Sequence, residues 1–278
     1  FKLTVCFIGS LMKVLLLTTC ICNAENFKDL ERLILSLNKV DSVDFTHYVL
    51  FQNVNDVDFD ESEFTALAVT YKLVIERSSS IISLSKARNL LIGMVKESYT
   101  LDEFDFISFP DDDCWYPDSF WNNFVNIEKE YSVDLFYTDF SSTPALIDFL
   151  PNQHNTSNLI RYASSNTTIY KSEVFSKVVF FDEDYGVGAK NNGGEDLDFA
   201  IRASLESNNP YFVNSPLIGH RNPLPEFRYK YFKGSFGVLK KHKFKTKSLF
   251  YHFARKFLIG IVFLLNKKIK LSDFKVTS

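Results

Sequence analysis

Short apolar runs alternate with stretches of helical spacing from residue 13 to residue 110, and this alternation restricts the fold more than any other feature of the chain. Residues 13–19, 47–52 (HYVLFQ), 68–75 and 104–110 (FDFISFP) read as strands. Between them, Phe27, Leu30, Leu33, Ile34 and Leu37 recur at helical spacing, which predicts a helix over about residues 26–38. Residues 85–96 and 117–130 read as two more helices, with Pro117 at an early position where its missing N–H costs nothing. Strands that alternate with helices imply a mostly parallel central sheet flanked by helices. Such sheets bind ligands at the carboxyl ends of their strands. Later come the segments 134–140 and 167–170, a polar loop over 151–158, and a Gly/Asn-rich loop, GVGAKNNGGED, that runs into a helix over 196–204.

A chain of 278 residues suits one large α/β domain with a short appendage, and 46% hydrophobic against 23% charged residues excludes wholesale disorder. Cys6, Cys20, Cys22 and Cys114 lack the paired spacing of a zinc site and are too few for a disulfide scaffold. The net charge of −3 hides a split. Residues 228–278 hold 14 Lys and Arg against one Asp, giving +13, and the 227 residues before them hold 17 basic and 33 acidic residues, giving −16. The acidic part suggests a metal or acid–base site, and the basic tail suggests an anionic surface. The opening FKLTVCFIGSLMKVLLLTTCICNAEN has two readings. One is a signal peptide, with Lys13 ahead of a short apolar run and Cys-Asn-Ala before Glu25. The other is a buried first strand, favoured because the apolar core over residues 14–17 is short for a leader. The first eleven residues carry no assigned role, and Met12 is the candidate natural start.

Two acidic groups follow apolar or flexible segments. In FISFPDDDCWYP, Asp111, Asp112 and Asp113 come directly after a strand, and alternation would turn Asp111 and Asp113 to one side, where two carboxylates can face one hard cation. A solvated acidic turn is the plain alternative. In GGEDLDFAIRA, Glu195 and Asp196 open a helix behind two glycines that allow a close backbone approach. Helix capping alone explains acids there, but it does not explain the long Gly/Asn lead-in, which suits a loop that delivers a carboxylate onto a substrate. Asp198 and Arg202, four apart, read as a surface ion pair.

DDD after a hydrophobic strand, with GGED roughly eighty residues later, resembles an inverting glycosyltransferase of the GT-A fold, most similar to glycosyltransferase family 2. NAENFKDLERLILSL, SLSKARNLLIG and RYKYFKGSFGVLKKH resemble further segments of that family, the last of them found in bacterial polysaccharide transferases. The resemblance covers about residues 12–245. It implies a single GT-A domain over 12–227, with a nucleotide-sugar half at about 12–113 and an acceptor half at about 114–227, followed by a basic, amphipathic, helical segment over 228–278. By the same resemblance Asp196 is the catalytic base, and Glu195 its neighbour that holds the acceptor. Thr18, Asn53, Arg88, Asp111 and Asp112 fall on the donor side. Asp113, Asp111 and His220, in LIGHRNP, are the ligands of a Mn²⁺ or Mg²⁺ ion. The second strand departs from the family by ending FQNVND, with Gln52 and Asn53 where acids usually read the nucleotide base. This leaves uridine against guanosine open, with a UDP-sugar favoured. The implied reaction is a single displacement on a nucleotide-diphosphate sugar by a glycan or lipid-linked acceptor, in surface polysaccharide synthesis.

The tail segment LFYHFARKFLIGIVFLLNKKIK has an uninterrupted apolar run, 257–265, that is short for crossing a bilayer. Flanking Arg255, Lys256, Lys267, Lys268 and Lys270 suit a helix lying in a membrane interface, with core packing as the alternative. No nucleic-acid motif accompanies these charges. The location expected is cytoplasmic, peripheral on the inner face of the plasma membrane. Two other classes compete with the enzyme: a fold-sharing protein that binds nucleotide-sugars or glycans without turnover, which would need no base at Asp196, and a secreted metal-binding protein, which would need a cleaved leader.

Overall fold

The run of apolar residues after Met12 has no polar face because its strand is covered on both sides. In the computed structural model, which describes residues 11–56, 60–145 and 149–276, this strand is β1 (Met12–Ile21). Val14 and Leu16 enter the core on one face of the sheet, and Leu15 and Leu17 enter the core on the other. Residues 1–10, with the start of the leader reading, lie outside the described residues.

The elements follow as α1 (Ala24–Leu37), β2 (Val43–Gln52), α2 (Glu61–Leu67), β3 (Lys72–Ser78), α3 (Leu84–Ser98), β4 (Phe106–Ser108), α4 (Phe120–Tyr131) and β5 (Leu135–Ser141). Next come α5 (Thr156–Tyr162), β6 (Thr168–Lys171), α6 (Ser172–Val178), α7 (Glu195–Glu206) and β7 (Pro210–Gly219). The chain closes with α8 (Phe227–Lys230), α9 (Phe232–His242) and α10 (Lys247–Leu265). The seven strands form one sheet in the order β3-β2-β1-β4-β6-β5-β7. Only β6 runs antiparallel to its neighbours, so the sheet is mostly parallel, as the alternation of elements predicts.

Helix α1 starts where the Asn23 side chain accepts from the N–H groups of Glu25 and Asn26. It buries Leu30, Leu33 and Ile34 on the same face as Trp121 and Phe124 of α4. The opposite face holds Leu91 and Ile92 of α3 with Phe199 of α7. There the Phe109 ring meets Phe181 and Phe199 edge-on, at centroid distances of 5.0 and 5.9 Å.

Three segments differ from the sequence reading. The strand expected over 68–75 begins only at Lys72, because Asp60 caps α2 through the Ser62 N–H and Phe64 anchors that helix in the core. The loop expected over 151–158 turns helical at Thr156, where Asn155 caps α5 through the Asn158 N–H. Strand β7 gives no clear signal because it contains two prolines. Pro210 opens it and Pro216 falls at a register shift against β5, both tolerated on an edge strand.

Packing continues across residue 228. Phe232, Val238 and Leu239 of α9 are fully or almost fully buried, and Val238 and Leu239 belong to the α3–α7 core. Helix α9 also touches the loop before α7 backbone to backbone. A Cβ on Gly234 would lie 1.9 Å from the Gly193 carbonyl oxygen and 2.8 Å from that of Asn191. Gly234→Ala should therefore cost about 1–3 kcal/mol by overpacking, read as a lower midpoint in thermal unfolding. An unchanged midpoint would mean that this contact does not constrain α9.

Candidate active site

The triplet sits where β4 ends in the middle of the sheet. Thr18 Oγ1 donates to the Pro110 carbonyl oxygen at 2.9 Å and lies 2.9 Å from His47 Nε2. Thr18 is fully buried, so it supports the triplet from behind, and its neighbour Thr19 is the one that lines the cleft. After Pro110 the chain turns, with the Cys114 N–H bonded to the Asp111 carbonyl at 3.0 Å. Asp111 and Asp113 converge as alternation predicts, although a turn, not a strand, brings them together. Asp113 Oδ1 lies 3.0 Å from His220 Nε2, and Asp111 Oδ2 lies 3.8 Å from it. His220 comes from the far edge, just after β7.

The electrostatics follow from this crowding. Burial opposes the charge on Asp113, but His220 and Arg221 outweigh it and hold the carboxyl down at about 2. For Asp112 the balance is reversed: burial, then the charges of Asp111 and Asp113, outweigh a hydrogen bond to Cys20 and the charge of Arg221, and push it up to about 7. His220 loses by burial and gains more from Asp113 and Asp111, so its pKa is raised. The ligand atoms of Asp111, Asp113, Cys114 and His220 all lie within 4.8 Å of one another. His220 Nδ1 donates to the Arg221 carbonyl oxygen at 2.7 Å, so in the neutral ring the Nε2 lone pair points at two carboxylates. That arrangement can take either a proton on Nε2, which pairs His220 with Asp113, or a cation between the three groups. Burial holds the Cys114 thiol in its neutral form, and the remaining set of two carboxylates and an imidazole fits Mn²⁺ or Mg²⁺.

Arg88 of α3 links this group to the second acidic pair. It donates to Asp111 Oδ1 at 3.1 Å, to Asp196 Oδ1 at 2.7 Å and to Ser165 Oγ at 2.8 Å. With its side chain 2% exposed it stands behind the carboxylates and is not part of the cleft wall. Gly193 and Gly194, at φ +88° and +90°, turn the chain sharply into α7. Asp196 is 26% exposed, with Oδ2 accepting from Ser165 at 3.2 Å, and it is not on the cleft wall but is tied to Asp111 of that wall through Arg88. Glu195 points inward and is buried, and burial, then the charge of Asp196, push it up to about 8.

The cleft itself has a volume of about 770 Å³ and lies over the carboxyl ends of β1, β2 and β4. Its walls include Ile82, Ser83, Gly188 and Tyr231 with the triplet and His220. From the end of β2 the residue on the wall is Gln52, whose Oε1 accepts from the Ile82 N–H at 2.9 Å. Asn53, in the left-handed region at φ 64°, is not on the wall. Sequence reasoning missed two residues here. Arg221 Nε donates to Asp113 Oδ2 at 2.5 Å and lines the cleft; its place beside His220 in LIGHRNP was the available signal. Ser165, which joins Asp111, Asp196 and Arg88, carries no sequence signal.

No protein-family model matches the chain, and no curated protein matches it in sequence. Solved structures do match in fold. S. aureus TarS 1-349 in complex with UDP-GlcNAc aligns with a TM-score of 0.59 at 16% identity, over 82% of this chain and 66% of that one. The longer S. aureus TarS structure aligns at 0.56 and 17% identity, over 82% of this chain and 40% of that one. Mannosyltransferase PcManGT from Pyrobaculum calidifontis, in complex with GDP-Man and Mn²⁺, aligns at 0.56 and 12% identity, over 84% and 64%. The chain thus spans less than two thirds of the length of each. The fold is that of the GT-A glycosyltransferases, in agreement with the resemblance to family 2.

Proposed function

We propose that this GT-A chain is a metal-dependent, inverting glycosyltransferase. It moves a sugar from a nucleotide-diphosphate donor, a UDP-sugar by preference, to a glycan or lipid-linked acceptor in surface polysaccharide synthesis. We place its work on the inner, cytoplasmic face of the plasma membrane, where a basic tail meets anionic headgroups. The observation that carries the reading is Arg88, one buried guanidinium that joins Asp111 of the triplet to Asp196 at the start of α7. Two carboxylate groups 85 positions apart are thereby held as one unit. The solved neighbours with UDP-GlcNAc and with GDP-Man and Mn²⁺ support a nucleotide-sugar donor.

Asp196 accepts the proton of the acceptor hydroxyl as that oxygen bonds to the anomeric carbon, and the bond from that carbon to the diphosphate oxygen breaks. Inversion follows from a single displacement. Arg88 and Ser165 hold the Asp196 carboxylate by both oxygens, which fixes its direction. Asp111, Asp113 and His220 would hold the divalent ion, which when bound supplies charge stabilisation to the leaving diphosphate. Arg221 adds a further positive group on the cleft wall.

Asp113→Asn tests the cation site. The carboxyl is almost buried yet sits in a turn and keeps its neighbours as the amide. The variant should fold and lose at least tenfold in Mn²⁺-dependent affinity for UDP or GDP, measured by calorimetry, because a charged ligand is removed. Unchanged Mn²⁺-dependent binding would assign the cation elsewhere.

A further inference from the structure

Helix α10 is 19 residues long with a mean hydropathy of 1.5, long and apolar enough by length and composition to cross a membrane. Its packing argues for a different use. Leu249, His252 and Gly260 are buried along its inner side. His252 Nε2 pairs with Ser157 Oγ at 2.9 Å. A Cβ on Gly260 would lie 2.4 Å from the Phe232 ring and 2.7 Å from the Phe274 ring. The helix is therefore laid lengthwise on the catalytic domain. Insertion across a bilayer would strip these contacts and carry Arg255 and Lys256, at the midpoint of the helix, into the hydrocarbon core, where charge is costly.

Among the described residues nothing covers the outer side. Phe250, Tyr251, Leu258, Ile261, Val262 and Leu265 are each 37–76% exposed and lie on adjoining rows of the helix. Leu271, just beyond, is 66% exposed. Exposed Lys245 and Lys247 precede the row, and exposed Lys267, Lys268 and Lys270 follow it. Arg255 lies within the row, where its long stem lets the guanidinium reach outward. An apolar strip with cations at both ends complements a surface that is apolar at depth and anionic at its rim.

We propose that the outer face of α10 docks the protein on an anionic phospholipid surface, with the helix in the plane of the interface and not across it. This deepens and rests on the peripheral location proposed above, but it uses none of the cleft residues. Because α9, which carries α10, is packed against the loop that leads to Asp196, the docked face and the acceptor side belong to one rigid unit. A lipid-linked acceptor in the same leaflet would then be presented to a site of fixed orientation.

The test uses the full chain and vesicles of phosphatidylcholine, alone or with an equal part of phosphatidylglycerol. Deleting α10 would uncover Phe232 and Phe236, so the variant is Leu258→Glu with Val262→Glu, both on the exposed side. The unaltered protein should sediment with the phosphatidylglycerol vesicles at least tenfold more than with phosphatidylcholine, and high salt should release it. The double variant should lose this binding while keeping its unfolding midpoint and its affinity for UDP. No vesicle binding, or a dimer in solution that the double variant converts to a monomer, would overturn the proposal in favour of a second copy on this face. Retention after high salt and alkaline washing would overturn it in favour of a spanning helix. Vesicle binding with no nucleotide binding would keep the docking surface and reject the transferase reading instead.

Discussion

Asp196→Asn should leave fold and donor affinity in place while sugar transfer falls by a factor of about a hundred or more, the scale of general-base loss. The amide keeps the shape of the carboxylate. Arg88 retains Asp111 and Ser165 as partners, so the buried guanidinium is not stranded, and Ser165 can still bond the Asn oxygen. What is removed is the ability to accept a proton at neutral pH. Steady-state transfer, with donor binding measured separately, reads both parts. Near-normal turnover would move the base to another group and remove the support for an inverting displacement through this residue.

The second large effect lies two residues further along α7. The sequence reading took Asp198 and Arg202 as a surface pair, but Asp198 is fully buried and accepts from two cationic side chains and an imidazole. Arg202 Nε, Lys241 Nζ and His242 Nε2 each lie 2.8 Å from one of its oxygens. Burial works against the charged form, and His242, Arg202 and Lys241 outweigh it, so the carboxyl is held well below its ordinary range. Lys241 and His242 belong to α9, so this one carboxylate fastens the C-terminal helices to the helix that carries Asp196. Lys241 keeps Asp182, and Arg202 keeps the carbonyls of Val178 and Phe180, so Asp198→Ala should cost about 2–4 kcal/mol, the scale for losing several charge-assisted hydrogen bonds at once. For a chain of this size that lowers the unfolding midpoint by on the order of 5–10 °C. The pH dependence has a definite sign. A depressed acid pKa stabilises the fold above the unfolded value, about 4, and that contribution drains away as pH falls below it. The unaltered protein should therefore lose stability between about pH 4 and lower values, and Asp198→Ala should flatten that part of the profile. An alanine variant with the same midpoint and the same acid limb would show that the cluster is not what joins α9 to α7.

Much of the sheet was legible because β1 and β2 are buried on both faces and their composition admits little else. The helices with one apolar stripe, α1, α3 and α4, were legible for the same reason of period. Where an element is short and decided by a cap, as α2 and α5 are by Asp60 and Asn155, hydrophobic period carries no signal. Proline hid β7 by removing donors that an edge strand does not need. Within the site, the acids were visible as local clusters next to a strand end or a glycine pair. Arg88 of α3 was visible through the family resemblance, as a donor-side residue and not as the link between the two acidic groups, whereas Ser165 and Arg221 were not visible, because they come from the approach to β6 and from the exit of β7. Only the tertiary fold brings those segments together. The same holds for Asp198, whose i,i+4 spacing to Arg202 looks like solvent-exposed pairing until α9 covers it.

The central claim is that this cleft transfers a sugar from a nucleotide diphosphate with inversion. The measurement closest to it is a screen of UDP- and GDP-sugars with Mn²⁺, following release of the nucleoside diphosphate and, for the active donor, the anomeric configuration of the product by NMR. The account predicts release with one donor class, abolished by EDTA, and a product whose anomeric configuration is opposite to that of the donor. Release that persists in EDTA, a product with retained configuration, or no binding of any nucleotide diphosphate would contradict it.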